Sequence, residues 1–136
     1  MASVCLFIGC GLFILLSLIH GAATLFTDKF EPTNPELLQA LKTSGAKITK
    51  HTDSNMWTGI IGFHLSHSFG MAIFGTFYIA LQIENPEFLA QSMSLNTLLF
   101  LVTMVYISLA HKYWFSVPRN GFISALICFI GYAFFR

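Results

Sequence analysis

An all-α fold, a bundle of four transmembrane helices with a short amphipathic surface helix between spans one and two, is what this sequence predicts. Two observations carry it. Of the 136 residues, 55% are hydrophobic and only 10% charged, whereas an ordinary soluble domain is about one quarter charged. The apolar residues also gather into four runs, each close to the roughly 20 residues a helix needs to cross a hydrocarbon core about 30 Å thick. These runs use most of the chain, so residues 1–136 read as a single integral membrane domain with no separate soluble part.

The first span covers about 4–26. A cleaved signal peptide is the competing reading, because Gly21-Ala22-Ala23 has the small residues of a cleavage site. No Lys or Arg precedes the run, however, and it is longer than the apolar core of a signal, about 7 to 15 residues. A retained span is expected. From Thr27 to Asn55 the chain turns polar, and Asn34-Pro35-Glu36 has the order N-cap, N1, N2 of a helix start. Leu37, Leu38 and Leu41 follow at helical spacing with Lys42 on the other side, and Gly45 is placed to stop the helix. Such a helix, from Pro35 to Ser44, lies on the membrane surface or packs on the bundle ends.

The second span, about 56–82, is rich in small residues: Gly59, Gly62, Ser66, Gly70 and Gly75. Small residues let a neighbouring helix approach closely, which predicts a place at the bundle centre. Asn85-Pro86-Glu87 then repeats the earlier start signal in a connection without Lys or Arg. A duplicated hairpin would explain the repeat, but two uses of a common helix start suffice. The third span is expected over about 95–115 and the fourth over about 118–135 with Pro118 at its first position. The connection between them is short, so they should be antiparallel neighbours.

Charge sets the orientation. With four spans, Lys29, Lys42, Lys47, Lys50, Lys112 and Arg119 share one side, and the other side has Arg136. The positive-inside rule makes the six-residue side cytoplasmic and both termini periplasmic if the membrane is a bacterial inner membrane. Trp57 and Trp114 fall at that same interface, as an aromatic belt requires. A net charge of +1 with no basic run or phosphate-binding loop excludes a nucleic-acid partner. Cys5, Cys10 and Cys128 lie in apolar runs with no C-x-x-C spacing, and they read as small buried hydrophobes.

Four histidines lie within the spans: His20, His64, His67 and His111. Ionisable residues at membrane depth are costly and mark functional sites by default. Counted from Phe26, Trp57 and Trp114 at the helical rise, His20, His64 and His111 sit roughly 5 to 10 Å below one interface. His67 is a turn deeper on the face of His64. Imidazoles from three helices could hold a transition metal or a haem, or line a proton or ligand pathway. No carboxylate shares that depth, which argues against a di-iron site; Asp28 and Asp53 could reach it only from the connection. The competing structural reading pairs each imidazole with Ser66, Ser68, Thr24, Asn96 or a backbone carbonyl, as polar contacts between helices worth about 0.6 kcal/mol each. His51, in the polar connection, is expected to face water. Ser66 and His67 are neighbours in sequence on different helix faces, so they are not a nucleophile and its base. No HExxH, Walker or nucleophile-elbow motif occurs.

The stretches Phe26-Thr27-Asp28-Lys29-Phe30-Glu31-Pro32, Gly62-Phe63-His64-Leu65-Ser66-His67-Ser68-Phe69-Gly70 and Lys112-Tyr113-Trp114-Phe115-Ser116-Val117-Pro118 resemble those of a family of small bacterial four-span membrane proteins to which no activity is assigned. The resemblance runs over nearly the whole chain and implies a fold and a membrane location. In that pattern His67-Ser68-x-Gly70 is characteristic, whereas the position of His64 is more often Asn. A ligand set that needs His64 therefore departs from the pattern. Two functions of different class remain: a non-enzymatic membrane protein that binds a partner subunit, a second copy or an apolar ligand, and a small membrane oxidoreductase with haem or a transition metal on the histidines.

Overall fold

A computed structural model describes residues 1–47 and 54–136. Lys50, His51 and Asp53 lie outside the described residues. Among the described residues six helices follow in order: α1 (Ala2–Phe26), α2 (Pro35–Thr43), α3 (Met56–Glu84), α4 (Pro86–Gln91), α5 (Met93–Tyr113) and α6 (Ser116–Phe135). Four of them, α1, α3, α5 and α6, are long and apolar enough to cross a membrane. The expected all-α architecture, with α2 between the first two spans, is the one observed.

Local chemistry accounts for the boundaries. Asn34 caps α2 by accepting from the Glu36 amide at 2.9 Å, and Pro35 occupies the first turn, where its missing N–H is not needed. Gly45 does not stop this helix with a left-handed turn. Ser44 ends it in an extended conformation, and its amide donates to Ala40. Leu38 and Leu41 are half-buried, as their spacing predicts, whereas Leu37, expected on the same face, is exposed. Asn85 caps α4, and Ser92 then starts α5 by accepting from the Leu95 amide, two residues earlier than expected; α6 also begins two residues early, with no side-chain cap. Pro118 is the third residue of α6, still inside the first turn that has no intrahelical acceptor to satisfy.

The chain divides into two compact units, residues 1–16 with 71–136, and residues 17–70. In the first, the ring of Phe13 is fully buried and meets Phe74 (4.9 Å between centroids), Tyr106 (5.7 Å), Phe122 (5.0 Å) and Phe129 (6.2 Å). One α1 side chain thus touches α3, α5 and α6. Gly75 allows α3 to close on α1, since a Cβ there would stand 2.7 Å from the Cys10 carbonyl oxygen. Buried polar groups in this unit link its helices: Tyr78 on α3 donates to the Leu95 carbonyl of α5 at 2.7 Å, and the Asn96 amide donates to the Leu89 and Ser92 carbonyls. Asn96 thereby ties α4 to α5 and serves no histidine.

The outward faces of the spans carry large apolar side chains, among them Leu18, Ile73, Leu101 and Ile127. In water such a surface would aggregate. Against lipid chains, which are as apolar as leucine, it costs nothing.

Candidate functional site

The second unit holds three of the four intramembrane histidines, and local sequence explains how they meet. On α1, Ser17, His20, Gly21 and Thr24 recur at helical spacing and form one stripe. On α3, His64 and Ser68 do the same. The Ser17 hydroxyl donates to the Ser68 carbonyl at 2.6 Å, while Ser68 donates to the His64 carbonyl one turn back at 3.0 Å. Gly21 faces Ser68 at ordinary contact distance, a Cβ there lying 3.6 Å from the serine side chain. Small residues on both helices thus bring the backbones close, and the histidines beside them come within reach of each other.

His20 Nε2 and His64 Nδ1 lie 2.9 Å apart. Neutral imidazole has one N–H and one acceptor nitrogen, so one of these two carries the proton that the other accepts. The two ring centroids are 5.0 Å apart, and the His67 ring stands edge-on to His20 at 5.7 Å. Each histidine was expected either to ligate a cofactor or to pair with its own hydroxyl or carbonyl. Two of them pair with each other instead. Thr24, a suggested partner, donates to the His20 carbonyl at 2.8 Å, and Ser66 donates to the Phe63 carbonyl.

A fourth ring completes the cluster. After α1 the Thr27 hydroxyl donates back to Ala23, and Glu31 donates to the Asp28 carbonyl in a turn. This fold-back sets Phe30 on His64 in a stacked arrangement at 4.6 Å and against His20 at 4.8 Å. Sequence reasoning missed Phe30. The signal was there, because Phe30 is the only Phe, Tyr or Trp between Phe26 and Trp57. Asp28 and Glu31 on the same turn are exposed. His111 belongs to the first unit, where it is exposed in the last turn of α5.

The side of α3 opposite Ser68 is different in kind. Gly59, Gly62, Ser66 and Gly70 recur there at helical spacing, and all four are exposed. A Cβ added at any of the three glycines would meet nothing within 4 Å. Close packing was expected of all the small residues of this span; of its glycines Gly75 packs inside, and Gly59, Gly62 and Gly70 look outward. An open cavity of about 660 Å³ lies at the start of α3, lined by Ala46, Asn55, Thr58, Gly59, Phe63 and His64 among others.

Among the described residues, no group of three His, Cys, Asp or Glu side chains is arranged to hold a metal ion. No family model matches the chain, and neither a curated protein nor a solved structure does.

Proposed function

We propose that this chain is a non-enzymatic subunit of a membrane assembly, and that the outward face of α3 is where a partner helix docks. The carrying observation is a set of three glycines on one face of α3 without internal cause. Gly9, Gly75, Gly121 and Gly131 each sit where a Cβ would crowd a packed neighbour, as Gly75 does against Cys10. Gly11 on α1 and Gly59, Gly62 and Gly70 on α3 have no such neighbour, and the three on α3 fall on one face. Each costs the helix about 1 kcal/mol relative to alanine, and lipid returns nothing for a smooth surface. A second helix does, because small residues let two backbones come close enough for dense packing. A second copy of the chain is the simplest occupant, since this face packs against itself about a two-fold axis without any complementary feature elsewhere.

Energy transfer between donor-labelled and acceptor-labelled copies in lipid vesicles tests the reading. The unaltered chain should associate at high protein-to-lipid ratio, and Gly62→Leu with Gly70→Leu should weaken association roughly tenfold or more while helicity stays the same. Equal transfer in both proteins would refute the docking face, and a monomer at every ratio would refute the second copy as occupant.

For location we infer a bacterial inner membrane with both termini periplasmic, in keeping with the small four-span family that the three motifs resemble. The six-to-one division of Lys and Arg supports this orientation. Topology reporters fused after Lys47 and after Arg136 should report cytoplasm and periplasm respectively. The reverse pattern would invert the orientation.

A haem between His20 and His64 does not fit the arrangement observed. Axial nitrogens face each other across the iron at about 4 Å, with the porphyrin between them, whereas these two are in direct contact at 2.9 Å.

A further inference from the structure

An open groove of about 700 Å³ runs along one face of α5 within the first unit, and its two ends differ in chemistry. Toward the start of α5 its walls include Gln91, Thr97 and Arg136, and further along the helix they are Phe100, Leu101 and Met104. We propose that this groove seats one anionic phospholipid with a hydroxyl-bearing headgroup, phosphatidylglycerol being the simplest. The phosphate meets Arg136, and an acyl chain lies on the three apolar side chains.

Depth and polarity both fit. From the start of α5 to Met104 the helix rises about 16 Å, close to half of a hydrocarbon core about 30 Å thick. The groove therefore covers one leaflet, with its polar end in the headgroup layer. Thr97, Leu101 and Met104 recur at helical spacing, so a single face of α5 carries the change from polar to apolar. A docking helix would have to bring an acid to the mouth to satisfy Arg136. A phospholipid already carries its negative charge at that depth.

Arg136 sets the sign of the ligand. It is the only Lys or Arg in the sequence at this end of the spans, and it stands just past the last residue of α6. Its side chain donates to the Ala90 carbonyl at 3.0 Å and lies over the Tyr132 ring at 5.9 Å, two contacts that hold it at the mouth of the groove. A guanidinium has five N–H donors in a rigid fork, so one bond to Ala90 leaves enough for two oxygens of one phosphate. Ethanolamine or choline would set a second cation beside it. A glycerol headgroup does not, and its hydroxyls match the side-chain oxygens of Gln91 and Thr97. Glu84 and Glu87, the acids at this end, are exposed and lie outside the lining of the groove.

The test adds phosphatidylglycerol or phosphatidylcholine with the same acyl chains to the detergent-purified full chain and counts retained lipid by native mass spectrometry. One phosphatidylglycerol per chain is expected, retained about fivefold more than phosphatidylcholine, the factor that one basic side chain is worth at an anionic lipid surface. Arg136→Gln should bring phosphatidylglycerol down to the phosphatidylcholine level, and Arg136→Lys should keep part of the preference, since it has the charge without the fork. Leu101→Trp, at a position 58% exposed, fills the apolar end and should lower retention of both lipids with helicity by circular dichroism unchanged. Arg119→Gln removes the same charge from the first turn of α6, at its other end, and should leave retention as it is. If Arg136→Gln retains phosphatidylglycerol as the unaltered chain does, the site does not exist and Arg136 only ties α6 to α4. An equal loss in Arg119→Gln would reduce the preference to net charge and overturn the site as well. If Leu101→Trp keeps both lipids but abolishes energy transfer between copies, the groove seats a second chain and the proposal fails.

Discussion

Replacing Gly75 by valine should destabilise the protein by about 3 kcal/mol, the upper end of what overpacking costs. The first added carbon alone would lie 2.7 Å from the carbonyl oxygen of Cys10 and 2.8 Å from Cγ1 of Ile14. The isoleucine side chain can rotate away. The carbonyl belongs to α1 backbone and moves only if the helix moves, so relief requires α1 and α3 to separate at Gly75. Separation loosens the Phe13 ring stack a turn away, and within a membrane that packing is the main force holding helices together. Reversible unfolding in mixed micelles, followed by loss of near-ultraviolet circular dichroism, would measure the change. Gly70→Ala is the matched control: its methyl meets nothing, and alanine is the better helix former, so monomer stability should stay the same or rise by up to about 1 kcal/mol. Equal losses in the two variants would show that the approach at Gly75 does not matter.

The same pair of glycines shows what could be read from the sequence and what could not. Spans are legible because the bilayer imposes a length and a composition on every helix that crosses it, whatever its neighbours are. The helix starts at Pro35 and Pro86 are legible for a local reason, a capping Asn followed by Pro. Rotation of a helix about its axis has no such local signature when the apolar residues run all the way round. Gly59, Gly62, Ser66, Gly70 and Gly75 all announced close packing, but only the structure separates Gly75, which packs inside, from the rest, which face outward. Depth likewise placed His20 and His64 in one layer, because it follows from counting residues to an interface. That they bond to each other depends on the azimuth of both helices, and on Ser17, Gly21 and Ser68 drawing them together. Phe30 escaped notice because a connection has no periodicity to extrapolate; its place follows from the turn at Asp28 and the Thr27 hydroxyl.

Phe13→Ala should cost about 4 kcal/mol, and for a reason that differs from the same change in a soluble protein. In water, losing a buried phenyl group forfeits both its transfer from solvent and its packing, for a total of about 3–5 kcal/mol. Here the unfolded reference is a set of helices still in lipid, so the transfer part largely vanishes and the cavity part remains. Removing roughly 100 Å³ of ring at about 24 cal/mol per Å³ gives about 2.4 kcal/mol. To this is added the loss of ring-to-ring contact, at about 0.5 kcal/mol or more for each favourable pair. Phe13 makes four, with Phe74, Tyr106, Phe122 and Phe129, and it is fully buried. Because these partners lie on three other spans, one truncation weakens every helix contact around it, and unfolding should become less cooperative as well as easier. Phe13→Leu should recover about half of the loss, since it refills volume without restoring the edge and face geometry. Phe134→Ala, at a position 81% exposed, should change stability by no more than about 0.5 kcal/mol. If micelle unfolding gives similar values for Phe13→Ala and Phe134→Ala, the ring cluster is not the centre of this unit, and its stability must come from the polar contacts of Tyr78 and Asn96 instead.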